Sequence, residues 1–380
     1  MKPRDAATPP GAAPGTKRPL TVVLSLDVEE EGLFGGRYDC KNPGVRNTAG
    51  LDRLAPLLER GARPTLFCAH SVLTDPASRR VLARLRDAHG AEIGAHLHHW
   101  NTPPLSPEAA AAPGGALTRV PAAAVPQELM AAKLATLLGA GADFQGAPLT
   151  SFRMGRWDAH AALWPLLADA GLRCDASVRP LHSGKASAGG AGDPDHFDAP
   201  ADPYWLGSGA RRLLEMPLTV TPLLPWLPGV ARALPEGASA AMRAGLRHWG
   251  LLALLPVQHP LWLLRLTTLL HAARGGQVLS LTWHSSEMFP GGAPHVPDEA
   301  TVTRFMDKMC AYADWLGESF AVRYLTLAEL RRAAEAGELP VRTPAPAPGD
   351  WTWPGQTARS GAQGAQRRAG SAHPATEARP

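Results

Sequence analysis

The chain has 380 residues, 45% hydrophobic and 19% charged, which is enough for a large buried core and excludes a disordered protein over most of its length. Of the formal net charge of +4, segments 1–18 and 343–380 carry +3 and +2, leaving the body at −1, so no nucleic-acid surface is expected on the folded part. Both segments are poor in residues that could be buried and are read as disordered tails flanking one domain over 19–342. No apolar stretch follows the basic start, which predicts a cytoplasmic protein. Cys40, Cys68, Cys174 and Cys310 are widely spread with no CxxC pair, so neither a disulfide scaffold nor a thiolate zinc site is suggested.

In chain order, short apolar runs alternate with helical patterns. PLTVVLSLD (19–27), PTLFCAH (64–70) and AEIGAHLH (91–98) read as strands, separated by helices over 49–61 and 76–90. After an Ala/Pro-rich insertion come a helix over 126–139, strand LTSFRM (149–154), a helix over 159–171, strand LRCDAS (172–177) and RRLLEMPLTV (211–220). The most apolar segment, Trp249 to Leu264, is broken by Pro256 and Pro260, too short to span a bilayer, and is read as two short helices. They are either core or a surface that touches lipid. Strand QVLSLTW (277–283), a helix over 299–317 and strand FAVRYLT (320–326) follow, and such repeated units build a parallel sheet, open or closed into a barrel.

In parallel barrels the chemistry sits where strands end. Asp27, His96, His98, Arg153, Asp175 and His284 all fall at such ends, and Glu215 ends a further strand. Residues two apart on a strand face one side, so Asp27 pairs with Glu29 and His96 with His98. Two imidazoles and a carboxylate can hold a zinc-like ion and leave a position for water, which suits hydrolysis of an amide or ester. Asp27 suits the base that takes the water proton and His284 the acid that protonates the leaving group, with Arg153 keeping Asp27 ionised and Asp175 orienting His284. Trp100, Trp157 and Trp283 adjoin these residues and offer flat faces for sugar rings or for the core; Glu287 either binds a sugar hydroxyl or caps a turn.

The ordered set SLDVEE, PTLFCAH, EIGAHLHHW, SFRMGRW, CDAS and LTWHSSEM resembles the polysaccharide deacetylases of the NodB-homology type, carbohydrate esterase family 4, over roughly residues 20 to 330, and within them the WalW-like subgroup. The resemblance implies an α/β fold, a distorted (β/α)7 barrel, and metal-dependent removal of an acetyl group, above all N-acetyl, from a saccharide or lipid-linked saccharide precursor. It makes Asp27 the base, Arg153 its support, and Asp175 and His284 the fourth and fifth motifs, with His284 the general acid. The family's aspartate ligand position holds Val28 and its second histidine position holds Trp100, so the ligand set expected here is Glu29, His96 and His98, with His99 as substitute for His98. The ion implied is Zn2+, or Co2+ or similar. An acetylated saccharide is the expected partner, with membrane contact through residues 249–264 at the inner membrane face. The competing expectations are a non-catalytic saccharide-binding protein and a metal-free hydrolase of C–N bonds in small amides.

Overall fold

The structure, a computed structural model, describes residues 17–38, 43–105, 120–183, 194–339, 341 and 351. The tails expected at 1–18 and 343–380 therefore lie almost wholly outside the described residues, as does Cys40. Of the tail residues that are described, Arg18 Nη1 donates to the Ala272 carbonyl at 2.5 Å, and Trp351 packs against Gly207 and under the Arg211 guanidinium.

Strand β1 (Pro19–Val28) is the centre of the fold. All but its first residue are buried, and its largely apolar sequence, interrupted by Thr21, Ser25 and Asp27, suits a strand covered on both faces. Parallel to it and to one another run β2 (Thr65–Cys68), β3 (Glu92–Leu97), β4 (Ser151–Met154), β5 (Cys174–Asp175), β7 (Leu213–Glu215) and β10 (Val278–His284), in the order β10-β1-β2-β3-β4-β5-β7. These seven strands are the (β/α)7 arrangement expected. Antiparallel β6 (Tyr204–Leu206) lies outside β7, and parallel β11 (Ala321–Tyr324) pairs with residues 19–22 of β1, just below the residues of β1 that pair with β2. No strand ladder joins β7 to β10, but Thr219 bridges the gap: its N–H donates to the Ser280 carbonyl at 3.1 Å and its hydroxyl accepts from the Ser280 N–H at 2.8 Å. The result is a distorted α/β barrel, the architecture expected.

Helices cover the outside: α1 (Ala55–Glu59), α2 (His70–Thr74), α3 (Pro76–His89), α4 (Gln127–Gln145), α5 (Leu163–Asp169), α6 (Leu227–Ala233), α7 (Glu236–Gly245), α8 (Leu261–Ala273), α9 (Glu299–Ser319) and α10 (Leu327–Glu335). Their starts follow local chemistry. Asp75 and Asp298 cap α3 and α9 by accepting the Ser78 and Thr301 N–H groups, and Thr326 with Glu329 forms a capping box on α10.

Three expectations are corrected. The helix expected over 49–61 is a 3-10 stretch, Arg46–Leu54, followed by the short α1. The run 211–220 is not one strand, because β7 ends at Glu215 and Val220 begins β8 (Val220–Pro222). The apolar segment is not two helices: Trp249 and Gly250 end a π-helical turn (Leu246–Gly250), β9 (Leu251–Ala253) pairs antiparallel with β8, a Pro-bounded loop follows, and α8 begins at Leu261. Leu252, Leu254 and Leu264 are buried in the core, whereas Trp249 and Trp262 are turned to solvent. Among the described residues no helix is long and apolar enough to cross a membrane.

Candidate metal and catalytic site

Sheet register assembles the site. Asp27 on β1 is the direct neighbour of His284 on β10, and His96 on β3 is the neighbour of Arg153 on β4, so four strand ends bring four polar side chains to one rim. From β4 the Arg153 side chain spans the barrel interior. Its Nη1 donates to Asp27 Oδ1 at 2.6 Å and Thr282 Oγ1 at 2.8 Å, Nη2 to Ser25 Oγ at 2.8 Å, and Nε to the Ala176 carbonyl at 2.9 Å. The guanidinium also lies over the Phe67 ring, 4.3 Å from its centroid. Burial pushes the Asp27 carboxyl up, but Arg153, His96 and His284 outweigh it and hold the group at about 2. Asp27 is an ionised, buried acceptor.

Beside it stand Glu29, His96 and His98. Glu29 Oε2 is 3.4 Å from His96 Nε2 and 3.3 Å from His98 Nε2, and the three ligand atoms all lie within 4.8 Å of one another. Each imidazole is anchored by its other nitrogen: His96 Nδ1 donates to the Arg153 carbonyl at 3.1 Å, and His98 Nδ1 meets Glu30 Oε2 at 2.9 Å. Both Nε2 atoms are thereby aimed at Glu29, as in metal sites where an outer carboxylate or carbonyl fixes the ring. Ser71 Oγ donates to the second Glu30 oxygen at 2.5 Å, and Asn47 Nδ2 holds the Glu29 carbonyl at 3.0 Å. Burial lowers the His98 imidazole, yet Glu30 and Glu29 raise it to about 9, so the site favours a cation at Nε2. With His96 and His98 in the neutral imidazole form that metal ligation requires, the carboxylates of Asp27, Glu29, Glu30 and Glu287 face the Arg153 guanidinium and the His284 imidazolium, an excess of two negative charges that a divalent ion would balance. Donor set, anchoring and charge all fit the expected ion.

Gly155 makes room for this arrangement. A Cβ there would come within 2.2 Å of His98 Cδ2 and 2.8 Å of Nε2. The His98 ring is also stacked against Trp100, centroids 4.2 Å apart at 19°. Immediately after Gly155, Arg156 and Trp157 both take left-handed backbone angles (φ 61° and 59°), a strained turn of the kind that collects at functional sites.

His284 stands across from the ligand set, its Nε2 3.8 Å from Asp27 Oδ2. At 24% side-chain exposure it is the most open of the group, against 1–6% for His96, His98, Arg153, Asp27 and Glu29. The 3-10 turn Ser285–Met288 folds Glu287 back so that Oε2 accepts from both the His284 N–H and Nδ1, each at 2.8 Å; Oε1 meets His295 Nε2 at 3.0 Å. Burial pushes His284 down, but Glu287, Glu29 and Asp27 raise it to about 10, so it carries a proton at neutral pH.

Several expected residues lie elsewhere. Asp175 does not reach His284. Its Oδ2 accepts from Trp164 Nε1 at 2.8 Å, Ser177 donates to Oδ1, and Glu215 on the neighbouring rung of β7 lies against it. Burial, then mutual repulsion, push the Glu215 carboxyl well up, and burial raises Asp175, so this pair holds a proton inside the barrel rather than at the rim. Trp283 is 1% exposed and packs edge-on against Phe305 in the core, because alternation along β10 turns it away from the side that His284 faces. Trp100 is also 1% exposed, so neither indole is available to a sugar face. Trp157 is half-buried beneath the Arg153 guanidinium, 5.1 Å from the ring centroid. His99, the substitute ligand, points away, its Nε2 donating to the Val120 carbonyl at 2.9 Å.

No protein-family model and no curated protein matches the chain. Among solved structures it is similar to a protein of Parabacteroides distasonis provisionally assigned as a glycoside hydrolase/deacetylase, with TM-score 0.52, 13% identity, and coverage of 85% of this chain and 73% of that one. A provisionally assigned polysaccharide deacetylase from Mycobacterium smegmatis has TM-score 0.49 and 17% identity over 89% of this chain and 97% of that one. A further such protein, from Pseudomonas aeruginosa PAO1, has TM-score 0.47 and 15% identity over 85% and 93%. At these identities the likeness is one of fold.

Proposed function

We propose that the protein is a metal-dependent sugar deacetylase of the carbohydrate esterase family 4 type, in its WalW-like branch. Its substrate would be an acetylated saccharide, free or lipid-linked, in surface-polysaccharide metabolism, and the bond cleaved above all the N-acetyl C–N bond. The carrying observation is the convergence of Glu29, His96 and His98, each imidazole anchored at Nδ1, between an ionised Asp27 and a protonated His284.

Glu29, His96 and His98 would hold the divalent ion, zinc or cobalt by donor type, which when bound supplies Lewis-acid activation of water and of the acyl carbonyl. Asp27 Oδ2 accepts the proton of the attacking water, while Arg153 keeps the carboxylate ionised and its other oxygen occupied. His284, poised as imidazolium with Glu287 behind it, donates its proton to the departing amine. Trp157 is the remaining expected aromatic that is not fully buried, and it is the sugar contact this reading keeps.

The test is acetate release from a panel of N-acetylated and O-acetylated saccharides, with and without prior chelation, beside Asp27→Asn. Release that needs both the ion and Asp27 is expected. Saccharide binding without release in any condition would instead favour the non-catalytic reading, and release that survives exhaustive chelation the metal-free hydrolase.

A further inference from the structure

Among the described residues, eight large apolar side chains are strongly exposed, and seven of them lie between Leu223 and Leu269, in the insertion that leaves the barrel after β7 and returns at β10. Trp249 is 85% exposed, Trp262 64%, Trp226 59% and Leu269 49%. Leu223 is tied to the segment carrying Trp249, since its N–H donates to the Gly250 carbonyl at 2.9 Å.

Helix α8 carries apolar side chains on its outward face as well as its inward one. Trp262 and Leu269, seven residues apart and so on one helix face, are turned to solvent, while Thr267, Thr268 and His271 are buried. Those inward groups have partners: Thr268 Oγ1 lies 2.6 Å from the Tyr312 hydroxyl, Thr267 Oγ1 donates to the Leu263 carbonyl at 2.7 Å, and His271 Nε2 donates to the Val278 carbonyl at 3.0 Å. A helix exposed on one side ordinarily puts its apolar stripe inward and its polar residues outward. Here Leu264 and Ala272 share the inward face with those three polar groups while Trp262 and Leu269 stand outward, and an outward apolar stripe suits an apolar medium rather than water.

Charge selects the medium. Residues 219–276 contain five arginines (Arg232, Arg243, Arg247, Arg265 and Arg274), one glutamate (Glu236) and no aspartate or lysine; Arg232 and Arg243 are paired with Asp198 and Asp195, and the segment keeps a net positive charge after those pairs are set aside. A second copy of this face would set like charge against like, and the chain's own terminal segments are positive as well. Exposed tryptophans and leucines in a segment of net positive charge are instead the composition that partitions into the headgroup boundary of an anionic bilayer. We propose that the insertion between β7 and β10 is a peripheral membrane-binding face that seats Trp249, Trp262 and Leu269 in an anionic lipid surface. This face is broader than the expected 249–264 segment, and docking there is independent of the chemistry at the barrel rim.

The test is co-sedimentation of the full chain with phosphatidylcholine vesicles lacking or containing phosphatidylglycerol, beside the triple variant Trp249→Ser, Trp262→Ser, Leu269→Ser. Binding is expected to the anionic vesicles, weakened at least about tenfold in the variant by loss of three apolar anchors. Brominated acyl chains should quench tryptophan emission in the parent and much less in the variant, a comparison that needs no assumption about tail electrostatics. Absence of binding to anionic vesicles, equal binding by parent and variant, or no quenching would overturn the proposal. So would a dimer that the triple variant dissociates in the absence of vesicle binding.

Discussion

Glu287 clamps His284 from behind: one carboxylate oxygen accepts both the backbone N–H and Nδ1 of His284, each at 2.8 Å, leaving Nε2 toward Asp27. The imidazole is raised from 6.5 to about 10 against the opposing effect of burial, with Glu287 its largest source of support. Because the folded pKa is the higher one, the stability gained from this proton in the metal-free protein is complete below about 6.5 and is lost as pH rises through 10. Glu287→Gln should remove most of that support. The alkaline limb of the activity profile should then move down by about 1–3 pH units, as pH–rate measurements on parent and variant would show. An unmoved limb would mean that His284 is not the titrating acid.

Gly155 is predicted to be intolerant of a side chain, since the Cβ of Gly155→Ala would strike the His98 ring at 2.2 Å. Metal affinity should fall by about 10–100-fold, as it does when a ligand's support is lost, while far-UV circular dichroism stays unchanged. Competition titration with a chromogenic chelator measures the affinity directly.

Glu30→Gln should have a related effect by a different route. It removes the charge that fixes His98 Nδ1 at 2.9 Å and leaves Glu29 and both imidazoles in place. A loss of metal affinity of about 10–100-fold is expected, and an unchanged affinity would show that Glu30 serves only to satisfy Ser71.

Arg153→Gln breaks a buried ion pair and should destabilise the fold by about 3–5 kcal/mol, measured by urea unfolding. Adding Asp27→Asn should recover part of that loss, since the uncompensated charge goes with it. Failure of the double variant to recover stability would argue that Arg153 acts mainly through Ser25, Thr282 and Ala176.

Trp283→Ala should cost about 3–5 kcal/mol through a core cavity beside Phe305, with little change in the KM for a saccharide. A raised KM with unchanged stability would restore the sugar-stacking role.

Much of the site was legible in the sequence because strand alternation is a strong constraint. Period two pairs Asp27 with Glu29 and His96 with His98, and strand ends bring Arg153 and His284 to the same rim. The same alternation sends Trp283 away from the side of His284, so its burial was legible too. Glu30 was not: it lies two residues beyond the end of β1 at Val28, where alternation no longer predicts direction, and a residue that reads as part of a solvated acidic loop turns to His98. Glu287 needs the 3-10 turn that folds position i+3 back onto His284. Gly155 shows itself only through the ring it must clear, and Asp175 is diverted to Glu215 by a two-residue β5 whose neighbour could not be read from spacing. The helices expected at 249–264 failed because β9 pairs with β8, a non-local contact that outweighs an apolar run without clear period.

The most direct test of the metal centre is elemental analysis of purified protein beside Glu29→Ala, His96→Ala and His98→Ala. The parent should hold about one equivalent of a divalent transition metal, as a three-ligand site predicts, and each variant should lose it while keeping its fold. A parent that stays metal-free after reconstitution, or variants that retain the ion, would contradict the assignment of these residues as ligands.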